Sequence, residues 1–228
     1  MKYEIKVPES LEEINLKQYQ KYLEIAQNNE DTLFVSQKMI EIFCDIKLIK
    51  VAEMKVNSVL ELNAHFKQVF EQKYKFKNRF TLNGIEFGFI PNLEDITLEE
   101  YIDIEMYLKD VKTLHKALSI MYRPIKDKSK ELYTIHNKEY GQRFDEVLRY
   151  ATLDIVIPAQ VFFWNLSSEL LNATTHYLKK ELKKLTTQHK DKLAKSGDGI
   201  TQSIDLQMEI LQNSMKLQPL ALIQLLHI

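Results

Sequence analysis

The sequence predicts a mainly α protein: a helical bundle carrying a small β-hairpin, with a long helix that leads into a C-terminal arm. Three observations carry that expectation. Apolar residues recur at three- and four-residue spacing along most of the 228 residues, the periodicity of one helix face turned to a core. Only five Gly and five Pro interrupt the chain, too few for a many-turned β-sandwich or for the glycine-rich loops of nucleotide-binding α/β folds. One Asn-Gly pair, Asn83-Gly84, stands between two apolar runs and supplies the positive φ angles of a type I′ hairpin turn.

Taken in chain order, Tyr3 to Val7 alternates as a strand does and Pro8 ends it. Leu16, Tyr19, Tyr22, Leu23 and Ile25 then mark a helix that Asn28-Asn29 closes; Leu33, Phe34, Met39, Ile42 and Phe43 mark a second, and Val56 to Phe70 a third. Phe80 to Phe87 reads as the hairpin, which is marginal as an isolated pair and is expected either to pack on the helices or to gain a third strand from the N-terminus or from a neighbouring subunit. Thr97-Leu98-Glu99-Glu100 has capping-box spacing and opens a helix, with Ile96 and Tyr101 placed as a staple. Val111, Leu114, Leu118 and Met121 line the next helix, and Tyr122-Arg123-Pro124 stops it. Lys126 to Lys130 reads as a charged loop, and Phe144 to Tyr150 as a short helix. Asp154 as cap and Pro158 as an early-turn proline then open the longest helix, from about Ala159 to about Lys192.

Ser196-Gly197-Asp198-Gly199 is a flexible break, so the expected organisation is a body of residues 1–195, with the hairpin near 78–90, and an apolar arm of residues 196–228 hinged at Gly197 and Gly199. The arm carries Ile204, Met208, Leu211 and Met215 at helical spacing and ends on Leu220, Leu222, Ile223, Leu225 and Leu226. From Lys179 to Lys195 there are seven lysines against Glu181 and Asp191, a local charge of +5 in a chain whose net charge is −1. Glu94, Asp95, Glu99, Glu100, Asp103 and Glu105 crowd the opposite sign onto the helix that Thr97 opens. Those acids suit a solvated helix start beside the positive end of its dipole, and the alternative is an acidic binding patch.

The near-neutral total excludes a global field that would hold nucleic acid or an anionic membrane. No run approaches the ~18 apolar residues of a membrane span, and the acidic start of the chain lacks a signal peptide's apolar centre. Cys44, the single cysteine, lies in an apolar run and reads as a small core side chain. The six histidines fall in separate segments without paired metal spacing, and there is no phosphate loop and no Gly-x-Ser-x-Gly elbow. The expectation is a protein without catalytic residues, metal or cofactor. Arg123 is expected to be structural, held by a carboxylate or a helix-end carbonyl.

The runs Ile90-Pro91-Asn92-Leu93, Ile96-Thr97, Glu100-Tyr101-Ile102-Asp103-Ile104, His115-Lys116-Ala117-Leu118 and Met121-Tyr122-Arg123-Pro124-Ile125 resemble a pattern in small virion-associated proteins of crAss-like tailed phages. The resemblance extends to Phe162-Phe163, to Ser168-Glu169-Leu170-Leu171 and to the break at Ser196 to Gly199, and leaves the first seventy residues uncovered. It implies a component of the neck or tail: a ring subunit between portal and tail, or a factor that assembles that region. In the ring reading the partners are further copies of the chain, the portal and other neck or tail proteins, with passing DNA as a transient contact and no membrane. Leu220, Leu222, Ile223, Leu225 and Leu226 would dock on a neighbour, supported by the hairpin at Asn83-Gly84, with folding back on their own body as the alternative; Lys179, Lys180, Lys183 and Lys184 would face a lumen or DNA, against the plainer reading of a solvated helix face. A non-virion assembly chaperone and a nucleic-acid-binding adaptor are the alternatives.

Overall fold

The computed structural model describes residues 5–130 and 132–188, and it is mainly helical with a small antiparallel sheet. The chain divides after Gln160 into two compact units. The boundary expected at 195/196, with Gly197, Gly199 and the arm, lies outside the described residues.

The first unit begins with helices α1 (Leu16–Gln27), α2 (Thr32–Phe43), α3 (Leu48–Ala52) and α4 (Val56–Glu71). Asn15 and Gln18 form a reciprocal capping box on α1. The next two free amides of that first turn are met from far along the chain: Leu16 N donates to Ala151 O (2.9 Å) and Lys17 N to Arg149 O (2.7 Å). Asp31 caps α2 by accepting from the amides of Leu33 and Phe34. The four helices bury Leu16, Tyr19, Leu23, Ile40, Phe43, Val51 and Phe66. Phe43 sits at the centre, with ring centroids 5.2 Å from Tyr22, 5.5 Å from Phe66 and 5.6 Å from Phe70. Cys44, next to it, is buried, and burial pushes its thiol up to about 11.

The sheet is formed by β1 (Arg79–Leu82), β2 (Ile85–Phe89), β3 (Tyr122–Ser129) and β4 (Leu132–Ile135), in that spatial order and antiparallel throughout. The expected hairpin is present, with Asn83 at φ 50° and Gly84 at φ 78°. A Cβ on Gly84 would meet nothing within 4 Å, so glycine is there for its backbone angle rather than for space.

Two strand expectations are corrected. Residues 5–9 form no strand; Pro8 O instead accepts from His65 Nε2 (2.8 Å) and Glu9 O from Gln72 Nε2 (3.1 Å), which ties the segment to α4 and its end. The hairpin's third strand is β3 of the same chain, so residues 126–129 are strand and not loop. They are exposed, and without a buried face they carry no apolar alternation to read. Pro124 is tolerated inside β3 by its phase. Ile90 N donates to Met121 O, which turns the amide positions of residue 124 away from β2; toward β4, Pro124 O accepts from His136 N at the end of the ladder.

Between β2 and β3 run α5 (Leu98–Leu108), capped as expected by Thr97 and Glu100, and α6 (Leu114–Met121). After β4 come α7 (Lys138–Gly141), α8 (Asp145–Leu148) and α9 (Leu153–Gln188). α9 starts about six residues earlier than expected. Asp154 lies in its first turn and Pro158 inside the helix, where its missing amide removes one intrahelical bond. Asp154 accepts from Lys77 Nζ at 2.5 Å, and Thr152 Oγ1 donates to its other oxygen. The second unit begins at Val161, within α9.

Candidate functional site

Helix α5 is apolar on two opposite faces, and only one of them is covered by the first unit. Glu100, Ile104 and Leu108 repeat every four residues and are 8%, 0% and 5% exposed. Leu98, Ile102 and Met106 repeat at the same spacing, two residues out of phase, and are 76%, 52% and 51% exposed. Two residues turn a helix by about 200°, so the second stripe lies opposite the first. A helix apolar on both sides belongs in an interior, whereas this one is flanked by protein on one side. Covering the outer stripe would stabilise a complex by ~1.5–3 kcal/mol for each side chain fully buried.

The inner side is held by an ion pair. Arg123, on β3, places Nη2 against Glu100 Oε1 and donates from Nε to Ile120 O (2.9 Å), meeting both expected partners. Glu100 Oε2 accepts the Thr97 amide (3.0 Å), while Thr97 Oγ1 accepts the Glu100 amide (3.2 Å). Burial opposes the charge on Glu100, but the Thr97 amide, the Arg123 guanidinium and the Thr97 hydroxyl outweigh it and hold the carboxyl below its ordinary value.

The acid cluster noted in the sequence is partly neutralised by bases that folding brings to it. Lys138, on α7, bridges Glu99 (2.8 Å) and Asp103 (2.7 Å), and Lys109 pairs with Glu105 at 3.3 Å. Burial works against the charge on Lys138, yet the two carboxylates raise its pKa above the usual lysine value. Glu94 meets no cation among the described residues, and Asp95 accepts from Asn92 Nδ2. Residues 94–109 carry six acids and one lysine; Arg123 and Lys138 offset two charges and leave an excess of −3 beside the outer stripe.

A second buried polar group joins α1, α6 and α8. Gln20 Nε2 donates to Val111 O (2.7 Å) and to His115 Nδ1 (3.2 Å), and its Oε1 accepts from Arg149 Nε (3.1 Å). With Nδ1 an acceptor, the proton of neutral His115 is on Nε2, which faces Glu146 Oε1 at 3.7 Å. Burial, joined by the Arg149 charge and opposed by Glu146 and Asp145, lowers the His115 pKa.

Of the residues singled out in the sequence, Asn83 and Gly84 form an exposed turn joining β1 and β2, and Lys180 is exposed on α9. The side chains of Lys179, Lys183 and Lys184, and all of Leu220, Leu222, Ile223, Leu225 and Leu226, lie outside the described residues. The outer α5 stripe was legible at four-residue spacing but was masked by the acids among which it lies. No group of metal-ligating side chains and no helix long and apolar enough to cross a membrane occurs among the described residues. No protein-family model, no curated protein and no solved structure matches this chain.

Proposed function

We propose that this protein is a self-associating structural subunit of the virion of a tailed phage, a ring component of the neck or tail that joins portal and tail through protein contacts rather than catalysis. The observation that carries the self-associating part is the exposed Leu98-Ile102-Met106 stripe, set opposite a fully covered face of the same helix. The phage assignment is supported by the resemblance of the segments from Ile90 to Ile125, which contain that helix. Rings of three or more copies need two different surfaces on each copy. The acidic, apolar face of α5 would serve as one, and the lysine-rich stretch 179–195 with the apolar run after it, opposite in charge by sequence, would supply the other.

The test is mass spectrometry of purified virions from the source, together with light scattering on the purified full chain. A stoichiometric virion component that forms a closed oligomer in solution is the expected outcome. Absence from particles together with a small soluble species replaces the ring with an assembly chaperone. Salt-dependent DNA binding abolished by neutralising Lys179, Lys180, Lys183 and Lys184, without oligomerisation, replaces it with a nucleic-acid adaptor.

A further inference from the structure

We infer that the outer face of α5 receives residues 179–228 of a second copy of this chain, the lysines of that segment meeting Glu94 and Asp95 and joining Lys109 at Glu105, and its apolar residues covering Leu98, Ile102 and Met106. The inference rests on the self-associating reading above and names the two surfaces that meet.

Three features select this occupant. The first is the chemistry of the face, which is a row of three large apolar side chains bordered by carboxylates. Three residues at four-residue spacing cover about 12 Å along a helix axis, the footprint of an amphipathic segment presenting apolar residues at three- and four-residue intervals. The second is charge. The excess of −3 that folding leaves around α5 is matched by the +5 of residues 179–195. The third is order along the chain. The lysines are followed by Ile204, Met208, Leu211 and Met215, and then by Leu220, Leu222, Ile223, Leu225 and Leu226, so one segment supplies the cations and the apolar side chains together.

Because the two surfaces differ, each copy gives its segment to one neighbour and its α5 face to another. Such a heterologous contact closes into a ring when the rotation between copies permits. The lysines would then be engaged on protein, which reassigns them from the lumen-facing role that the sequence suggested.

Charge reversal in the full chain tests this directly. One variant carries Glu94→Lys, Asp95→Lys and Glu105→Lys; the other carries Lys179→Glu, Lys180→Glu, Lys183→Glu and Lys184→Glu. Sedimentation velocity at low and high salt reads the assembly state, and circular dichroism confirms that each variant is folded. Each variant alone should sediment as the monomer where the wild type assembles. An equimolar mixture should assemble again, as should a chain carrying all seven substitutions. Leu98→Ser with Ile102→Ser and Met106→Ser should weaken self-association by about 100-fold or more.

If the wild type assembles and neither set of variants alters its mass, or if the mixture fails to restore assembly, the docking inference is overturned while self-association stands. Docking of the segment on its own copy predicts unchanged mass for every variant and overturns the inference in the same way. A wild type that stays monomeric at all concentrations overturns both readings.

Discussion

The Arg123–Glu100 pair and the group in which buried Gln20 and His115 meet half-buried Arg149 both bind helices together, yet they solve the cost of burying polarity differently. The first confines a full charge of each sign and occupies both carboxylate oxygens. The second presents one neutral amide to three neighbours and keeps the imidazole uncharged. A charge pair is intolerant of losing one member, because the survivor is left buried and unmatched; a network centred on a neutral amide, whose one cation Arg149 is half-buried and also paired with Glu146, degrades by single hydrogen bonds.

The largest expected effect follows from that asymmetry. Arg123→Met should destabilise the fold by about 3–5 kcal/mol. Glu100→Leu combined with Arg123→Met should recover most of that loss, leaving about 1 kcal/mol for the missing helix cap. Urea unfolding of the two variants decides it: if the double variant is no more stable than Arg123→Met alone, the pair does not behave as a coupled unit.

A smaller effect is expected where the chain approaches Arg123 from behind. A Cβ added at Gly141 would lie 2.8 Å from Ser119 O and 2.9 Å from Arg123 Cγ. Gly141→Ala should therefore cost about 2 kcal/mol by overpacking. In the Arg123→Met background, where the side chain is more pliable, the penalty should shrink. An equal penalty in both backgrounds would place the obstruction at the Ser119 carbonyl alone.

The smallest effect separates the two groups by pH. The folded-state pKa of His115 is lowered from its ordinary 6.5, so between the two values the unfolded chain binds more protons and stability falls as pH drops through 6.5. The folded-state pKa of Glu100 is lowered from 4.5, so its contribution is complete above that value and is lost only as pH falls further. His115→Gln should flatten the slope near pH 6 and leave the acid limb in place. A slope near pH 6 that survives this substitution would assign it to other groups.

How much of this was legible depended on whether a residue's partner was near it in sequence. The Thr97–Glu100 box, the Asn83-Gly84 turn and the ends of α1 and α6 were readable because each is decided within four residues. That Arg123 would be held by a carboxylate or a helix-end carbonyl was readable from chemistry, whereas its choice of Glu100 was not, since the two are separated by a helix. Strand β3 was missed because Lys126, Asp127, Lys128 and Ser129 are exposed and are placed by pairing with β4 and by the Lys128–Glu86 bridge, not by alternation. The group around Gln20 was invisible for the same reason, being drawn from α1, α6 and the end of α8. The candidate face on α5 is obscured in the sequence because acids dominate a stretch whose apolar residues are equally regular.

The first turn of α1 has a consequence for synthesis on the ribosome. Its Leu16 and Lys17 amides are completed by the carbonyls of Ala151 and Arg149, and Leu153 N returns a bond to Ile14 O. Those residues are translated roughly 130 positions later, about 7–27 s at ordinary elongation rates of 5–20 residues per second. Until then the nascent chain holds four helices whose leading end is unfinished. A ribosome stalled before Arg149 should present α1 to proteases and chaperones, and one stalled far enough past Leu153 for that residue to clear the exit tunnel should not.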